Sequence, residues 1–188
     1  MSNLKKRSTA VLIAVVVILL GTLFGVHRSV NKETAKIDAQ FYNGVYLKDG
    51  KYTQPSIQSQ LDKRADAALG LLSVAHQYVY LDDAAQKLRA AREALLDADT
   101  ISEKYAANSK LENAWKQVYE SLVAHADDVP PSIESYVSTL NGAQGIIEKS
   151  DYNNTVNDFR SGTLGAFPIN ILKHLALVDY PAYFSPQE

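Results

Sequence analysis

Residues 56–79 read SIQSQLDKRADAALGLLSVAHQYV, and the spacing of their apolar side chains decides the fold. Ile57, Leu61, Ala65, Ala68, Leu72, Ala75 and Val79 recur at steps of four and three, the spacing that aligns one face of an α-helix. A helix is expected to start near Pro55, because proline suits a first helical turn and Asp49 with Gly50 is a turn signal just upstream. Downstream, Leu81, Ala84, Leu88, Ala91 and Leu95 repeat the alternation out of phase with the first stripe. A kink or break is therefore expected between residues 80 and 83, with Asp82 as the candidate cap of the restart. A third stripe, Leu111, Trp115, Val118 and Leu122, is closed by Asp127, Asp128 and the pair Pro130 and Pro131, which a helix interior does not tolerate. The fourth is Ile133, Val137, Leu140, Ala143 and Ile147; it shifts phase to Tyr152, Val156 and Phe159 and ends among Gly162, Gly165 and Pro168. A short helix over residues 169–177 follows. No segment sustains period-two alternation, so no sheet is expected. The reading is all-α, an antiparallel long-helix bundle of four-helix type over residues 55–188.

Ahead of the bundle, residues 10–26 read AVLIAVVVILLGTLFGV, without a charge. At about 1.5 Å per residue this run crosses most of a hydrocarbon core about 30 Å thick. It marks a transmembrane helix over residues 10–27, preceded by a basic tail (1–9) and followed by a membrane-proximal segment (28–54) that continues helically over 31–47. The rival reading is a cleaved signal peptide with Lys5, Lys6 and Arg7 as its basic leader. Against it, the run exceeds a usual apolar core of such a leader and no A-x-A pattern closes it. Because Lys5, Lys6 and Arg7 are contiguous, whereas Arg28, Lys32 and Lys36 are interspersed with Glu33 and Asp38, the N-terminus is expected inside and the bundle on the extracytoplasmic side of the cell membrane.

Charge and composition exclude several classes of function. With 188 residues, 46% hydrophobic and 21% charged, the chain has the makeup of one globular domain. Nineteen basic and twenty-one acidic residues give a formal charge of −2, so the broad cationic surface that nucleic acid requires is absent and no nucleic-acid partner is expected. The absence of cysteine removes thiolate nucleophiles, disulfides and sulfur-ligated metal sites. His27, His76, His125 and His174 lack i, i+3 or i+4 partners, and no H-E-x-x-H, phosphate-binding loop or G-x-S-x-G is present, so no cofactor or metal is expected. Asp82 with Asp83, and Asp127 with Asp128, are adjacent on their helices and diverge by about 100°, which suits capping better than shared acid–base work.

Five residues stand out as a candidate polar seam. On one continuous helix, Lys149, Asn153 and Arg160 would share a face beside Tyr152, Val156 and Phe159. With Arg64 and Asp66 on the first long helix they would form a hydrogen-bond network that fixes register, or else line a groove for a partner peptide or helix.

Asp151, Tyr152, Asn153 and Val156, followed by Phe167, Pro168, Asn170, Tyr183 and Phe184, resemble the C-terminal signature of the LemA family. Ile57, Leu61, Arg64, Asp66 and Leu71 are similar to that family's first long-helix motif, and Tyr42 with Asn43 to its membrane-proximal Tyr-Asn. Lys149 and Arg160 depart from it, standing where the family usually has arginine and asparagine. The resemblance implies a bacterial, membrane-tethered helical bundle of undetermined biochemical role, in a family whose genes often neighbour those of membrane metalloproteases. Together the readings point to a non-enzymatic envelope adaptor or scaffold with protein partners, in membrane-protein quality control or stress response. The alternatives are a ligand-sensing ectodomain working with a partner subunit, and a hydrolase using Asp66 and a neighbouring histidine.

Overall fold

The apolar stripes become helices wherever a cap or a proline gives them a start. A computed structural model describes residues 2–46, 53–125 and 129–186, with only the backbone described at 2–6 and 46. The turn signal at Asp49 and Gly50 and the acidic pair Asp127 and Asp128 lie outside the described residues. In chain order the elements are α1 (Ser2–Asn43), β1 (Val45–Tyr46), β2 (Thr53–Gln54), α2 (Ile57–Ala75), a 3-10 turn (Val79–Leu81), α3 (Asp82–Asp97), α4 (Ile101–His125), α5 (Pro131–Glu148), α6 (Tyr152–Asp158), a π turn (Phe159–Thr163) and α7 (Ile169–Ala176). The fold is all-α, a helix of membrane-crossing length ahead of an antiparallel bundle.

The chain divides into two compact units, Met1–Asp38 with Asn154–Pro181, and Ala39–Asn153 with Ala182–Glu188. In the second, the bundle unit, α2 packs against α3 and α5, and α3 against α4. The pairing is antiparallel by register. Arg64 reaches Leu140 and Gln144 on α5, whereas Gly70, further along α2, meets Tyr136, earlier on α5. Likewise Ala65 on α2 and His76, its C-terminal cap, meet Arg92 and Arg89 on α3. Gly70 permits this approach, because a Cβ there would collide with the Tyr136 ring. As the central helix, α2 buries more than its first stripe: Gln60, Arg64, Ala67 and Leu71 add a second edge beside Leu61, Ala65, Ala68 and Leu72.

Helix starts follow local chemistry. The Ser56 hydroxyl accepts from the Ser59 amide at 3.1 Å and so caps α2. Thr100 and Glu103 form a reciprocal capping box for α4: the Thr100 hydroxyl accepts from the Glu103 amide at 3.2 Å, and the Glu103 carboxylate accepts from the Thr100 amide at 2.9 Å. Those bonds to Thr100 hold the Glu103 carboxyl below its ordinary pKa. Pro131 opens α5 at the first-turn position that tolerates it.

Several expectations are corrected. The break after the first stripe comes earlier: α2 ends at Ala75, and Val79 is 85% exposed rather than part of the buried face. Asp82 makes no capping hydrogen bond; it stands with Asp83 in the first turn of α3, where their charges complement the helix dipole. Ala85 rather than Ala84 is fully buried, because α3 starts a new phase at Asp82. A small antiparallel ladder pairs Val45 with Gln54 and Tyr46 with Thr53, where no sheet was expected. Two-residue strands are too short to show alternation; Gly44, at φ +92°, turns the chain into them where any Cβ would strike the Gln54 carbonyl.

In the first, the anchor unit, the apolar run of α1 is bare. Val11, Leu12, Ile13, Val15 to Leu20 and Phe24 are 44–66% exposed, and the helix is long and apolar enough to cross a membrane. Beyond the run, Val30, Thr34 and Ile37 turn into a buried stripe of the same helix. α7 and the residues after it are fixed to α1 there. His27 Nδ1 donates to the carbonyls of Ala176 (2.9 Å) and Leu177 (3.0 Å), Asn31 accepts from the Asp179 amide (2.8 Å), and Thr34 donates to the Asp179 carbonyl (3.0 Å).

Candidate functional site

Arg64 is the largest fully buried polar side chain, and its position follows from the register of α2 against α5. One guanidinium nitrogen, Nη1, donates to the Leu140 carbonyl (3.2 Å) and to Gln144 Oε1 (2.7 Å); Nη2 donates to Glu112 Oε2 on α4. Glu112 is a hub. The same oxygen accepts from Trp115 Nε1 at 2.9 Å, and its second oxygen pairs with Lys116 at 2.7 Å. Asn108 Nδ2 also donates to Gln144 Oε1 (3.1 Å), and Gln144 Nε2 donates to Glu148 (2.9 Å). Three helices are thus tied at one level by one cation, one carboxylate and two amides. Burial lowers the Arg64 pKa despite its hydrogen bond to Glu112. For Glu112 burial acts upward, but hydrogen bonds from Lys116, Arg64 and Trp115 outweigh it and hold the carboxyl below its ordinary value. Arg64 Nε, Gln60 Oε1 and Asn108 Oδ1 are buried without a protein partner, which suits bridging by internal water.

Asn153 and Tyr152 perform a different task in the same unit. The Asn153 side chain grips both backbone groups of Phe184: Nδ2 donates to its carbonyl and Oδ1 accepts from its amide, each at 2.9 Å. Tyr152 Oη donates to the Ala182 carbonyl at 2.7 Å. The Phe184 ring is buried against Phe41, at 5.6 Å between centroids, and edge-on to Tyr105 at 5.2 Å; Tyr152 meets Phe41 edge-on as well. The C-terminal segment is therefore held as a strap by an amide, a phenol and an aromatic socket. Gln54 makes a comparable two-point contact with Asp151, accepting from its amide at 2.9 Å and donating to its carboxylate at 3.1 Å.

The polar seam does not form as a single face. Lys149 is the exposed C-terminal cap of α5, Asn153 lies on α6 after a break, and Arg160 sits in the π turn, so the steps of four and seven do not run along one helix. Arg160 instead donates twice to the Pro181 carbonyl, at 2.7 and 3.2 Å, and stacks on Tyr180. Asp66 is exposed on α2, away from the Arg64 face. Of the remaining motif residues, Tyr183 is half-buried, Phe167 is 80% exposed, and Pro168, joined to it by a cis peptide bond, directly precedes α7. The partners of Arg64 went unpredicted because Glu112, Gln144 and, bound through Gln144, Asn108 look like ordinary surface positions of amphipathic helices. The legible signal is the i, i+4 spacing of Asn108 with Glu112 and of Gln144 with Glu148.

The histidines are dispersed. Arg89 Nη2 donates to His76 Nε2 at 2.7 Å, and His125 Nδ1 donates to the Ser121 carbonyl at 2.8 Å while stacking on Tyr80. His76, the C-terminal cap of α2, stands ten residues beyond Asp66 and is engaged by Arg89. Among the described residues no group of three His, Asp or Glu side chains converges as a metal site. A shallow groove of about 440 Å³ runs between α3 and α4, floored by Ala90, Ala91, Ala94 and Ala114 and edged by Lys87 and Lys110. No protein-family model, curated protein or solved structure matches the chain.

Proposed function

We propose that the chain is a single-pass protein of the cell membrane whose bundle, on the extracytoplasmic side, serves as a non-enzymatic adaptor or scaffold for protein partners. The observation that carries this reading is the pairing of a bare apolar helix with a bundle whose buried polar groups are turned on one another. Arg64, Glu112, Gln144 and Asn108 bind helix to helix, and Tyr152 with Asn153 bind the C-terminal strap. What the bundle offers outward is helical surface, including the alanine-floored groove between α3 and α4. The likeness of Tyr152, Asn153, Tyr183 and Phe184 to the LemA signature supports the same reading, because three of these residues meet in the strap. A bacterial source and a role in envelope quality control or stress response belong to that proposal.

Photo-crosslinking from α3 and α4 in native membranes tests it. Discrete partners are expected above a control with a scrambled apolar run, and none above that control would overturn it. Reporter fusions at the C-terminus fix the side of the membrane. The ligand-sensing alternative predicts instead a small molecule that raises the melting temperature of the purified chain.

A further inference from the structure

The apolar arc of α7 is wider than the surface that covers it. Ile169, Leu172 and Ala176 are half-buried or buried, whereas Ile171 and Leu175, at the other edge of the arc, are 58% and 67% exposed. Phe167, four residues before Ile171, and Leu177, just past the helix, are each 80% exposed. Those of Phe167, Leu175 and Leu177 exceed every exposure in the apolar run of α1 (44–66%), and that of Ile171 falls within its range. Asn170, Lys173 and His174 make up the polar flank.

Two further observations say what this face meets. The first is its level. The last carbonyls of α7 are held by His27, the residue directly after the apolar run, and the chain beyond α7 is held by Asn31 and Thr34, up to about 10 Å further along α1 at about 1.5 Å per residue. The C-terminal end of α7 therefore lies where the run ends, which is where hydrocarbon gives way to headgroups. The second is Leu177. It occupies the left-handed position after the helix (φ +51°), where glycine or asparagine is ordinarily found, and points a branched apolar side chain outward. In water that residue is a poor choice twice over; against lipid its side chain is at home.

We infer that α7 with Phe167 and Leu177 is an interfacial element that lies against the bilayer surface beside the transmembrane helix, its bare side chains inserted among the headgroups and upper acyl chains. Interfacial helices bury their apolar face by about 5–10 Å. The occupant is lipid, bound through apolar area rather than charge, so vesicles of zwitterionic phosphatidylcholine suffice. The inference rests on the reading of α1 as a membrane span and adds a second membrane contact to it.

Because the chain has no cysteine, single labels can be placed without background. The full chain carrying Ile171→Cys, Leu175→Cys, Val16→Cys or Glu93→Cys is labelled with an environment-sensitive fluorophore and reconstituted into phosphatidylcholine vesicles. Labels at 171 and 175 are expected to be quenched by lipid brominated near the headgroup and protected from aqueous iodide; the label at 16 by deeply brominated lipid; the label at 93 by iodide alone. Iodide reaching 171 and 175 while 16 remains in lipid would overturn the inference and leave the anchor standing. Labels at 171 and 175 shielded from both quenchers would overturn it in favour of a protein, including a second copy of this chain. Iodide reaching 16 would overturn the membrane reading itself.

Discussion

The two units use the same apolar residue types in opposite directions. In the bundle unit, Leu61, Leu71, Leu88, Leu111, Leu122 and Leu140 are at most 1% exposed, and the large apolar side chains left open on the same helices, Leu69, Leu96, Val123 and Ile146, stand one to a helix at 39–52%. In the anchor unit, Leu12, Leu19, Leu20, Ile13 and Ile18 are more than half exposed on a continuous helix. Water explains the first arrangement, since each buried leucine contributes about 1.5–3 kcal/mol. In water the second would lose the same term at every position, a cost that the membrane span proposed above for this helix removes. The pattern of burial within each unit is what separates a core from a helix long and apolar enough to cross a membrane. Both units are held by packing plus a few specific polar ties, but the anchor unit carries in addition a long apolar run that nothing within it covers.

The comparison breaks most readily at Arg64. Arg64→Ala removes a wholly buried cation together with its hydrogen bonds to the Leu140 carbonyl, Gln144 and Glu112. Glu112 retains Lys116 and partial contact with water, so the cost falls at the lower end for a broken buried pair, about 3 kcal/mol. Thermal unfolding of the full chain in detergent, followed at 222 nm, is expected to shift down by about 10 °C. An unshifted transition would mean that this network contributes nothing to the bundle.

Asn153 comes next. Its amide makes two hydrogen bonds to Phe184, and Asn153→Ala orphans a backbone donor and an acceptor in a half-buried setting, at about 1–3 kcal/mol. Release of the strap is the expected local consequence, read as faster amide exchange over residues 182–185. If stability and exchange are unchanged while crosslinking to partners is lost, Asn153 acts on partners and not on the strap.

Acid has a smaller effect with a definite sign. The Glu112 carboxyl is held below its ordinary value in the folded chain, so its contribution to stability is fully present above the unfolded value near about 4.3 and is lost as pH falls through the lower, folded one. Melting temperature should therefore fall on acidification below about pH 4, and Glu112→Gln should lessen that fall.

Much of the bundle was legible in the sequence, because buried leucines and alanines at steps of three and four leave few options. Every residue of the third and fourth stripes, Leu111 to Leu122 and Ile133 to Ile147, is buried. The stop before Pro130 and Pro131 was read as well, since α4 ends at His125, but other helix ends were not. Ala75, Asp82 and the turn at Ser150 interrupt stripes whose periodicity runs on, and the seam through Lys149, Asn153 and Arg160 failed because it assumed one helix where the chain makes α5, α6 and a π turn. Arg64 was singled out, but its partners were not, since a glutamate and two amides on separate helices reveal their shared level only once register is known. The strap was visible as a motif at Tyr152, Asn153 and Phe184 but not as a contact, because thirty-one residues separate Asn153 from Phe184 and periodicity carries no information over that distance.

The smallest expected stability effect belongs to the outward face of the anchor unit, and it sharpens the comparison. Ile171→Ser with Leu175→Ser replaces exposed apolar side chains by polar ones, so in detergent each change should stay within about 0.5 kcal/mol. Leu61→Ser in α2, at 1% exposure, should instead cost several kcal/mol, because it leaves a cavity and buries a hydroxyl. Equal melting temperatures for the α7 pair and the unaltered chain, against a large loss for Leu61→Ser, would show that the two units obey different solvents. A large loss for the α7 pair would mean that Ile171 and Leu175 pack inward, and the contrast between the units would no longer hold.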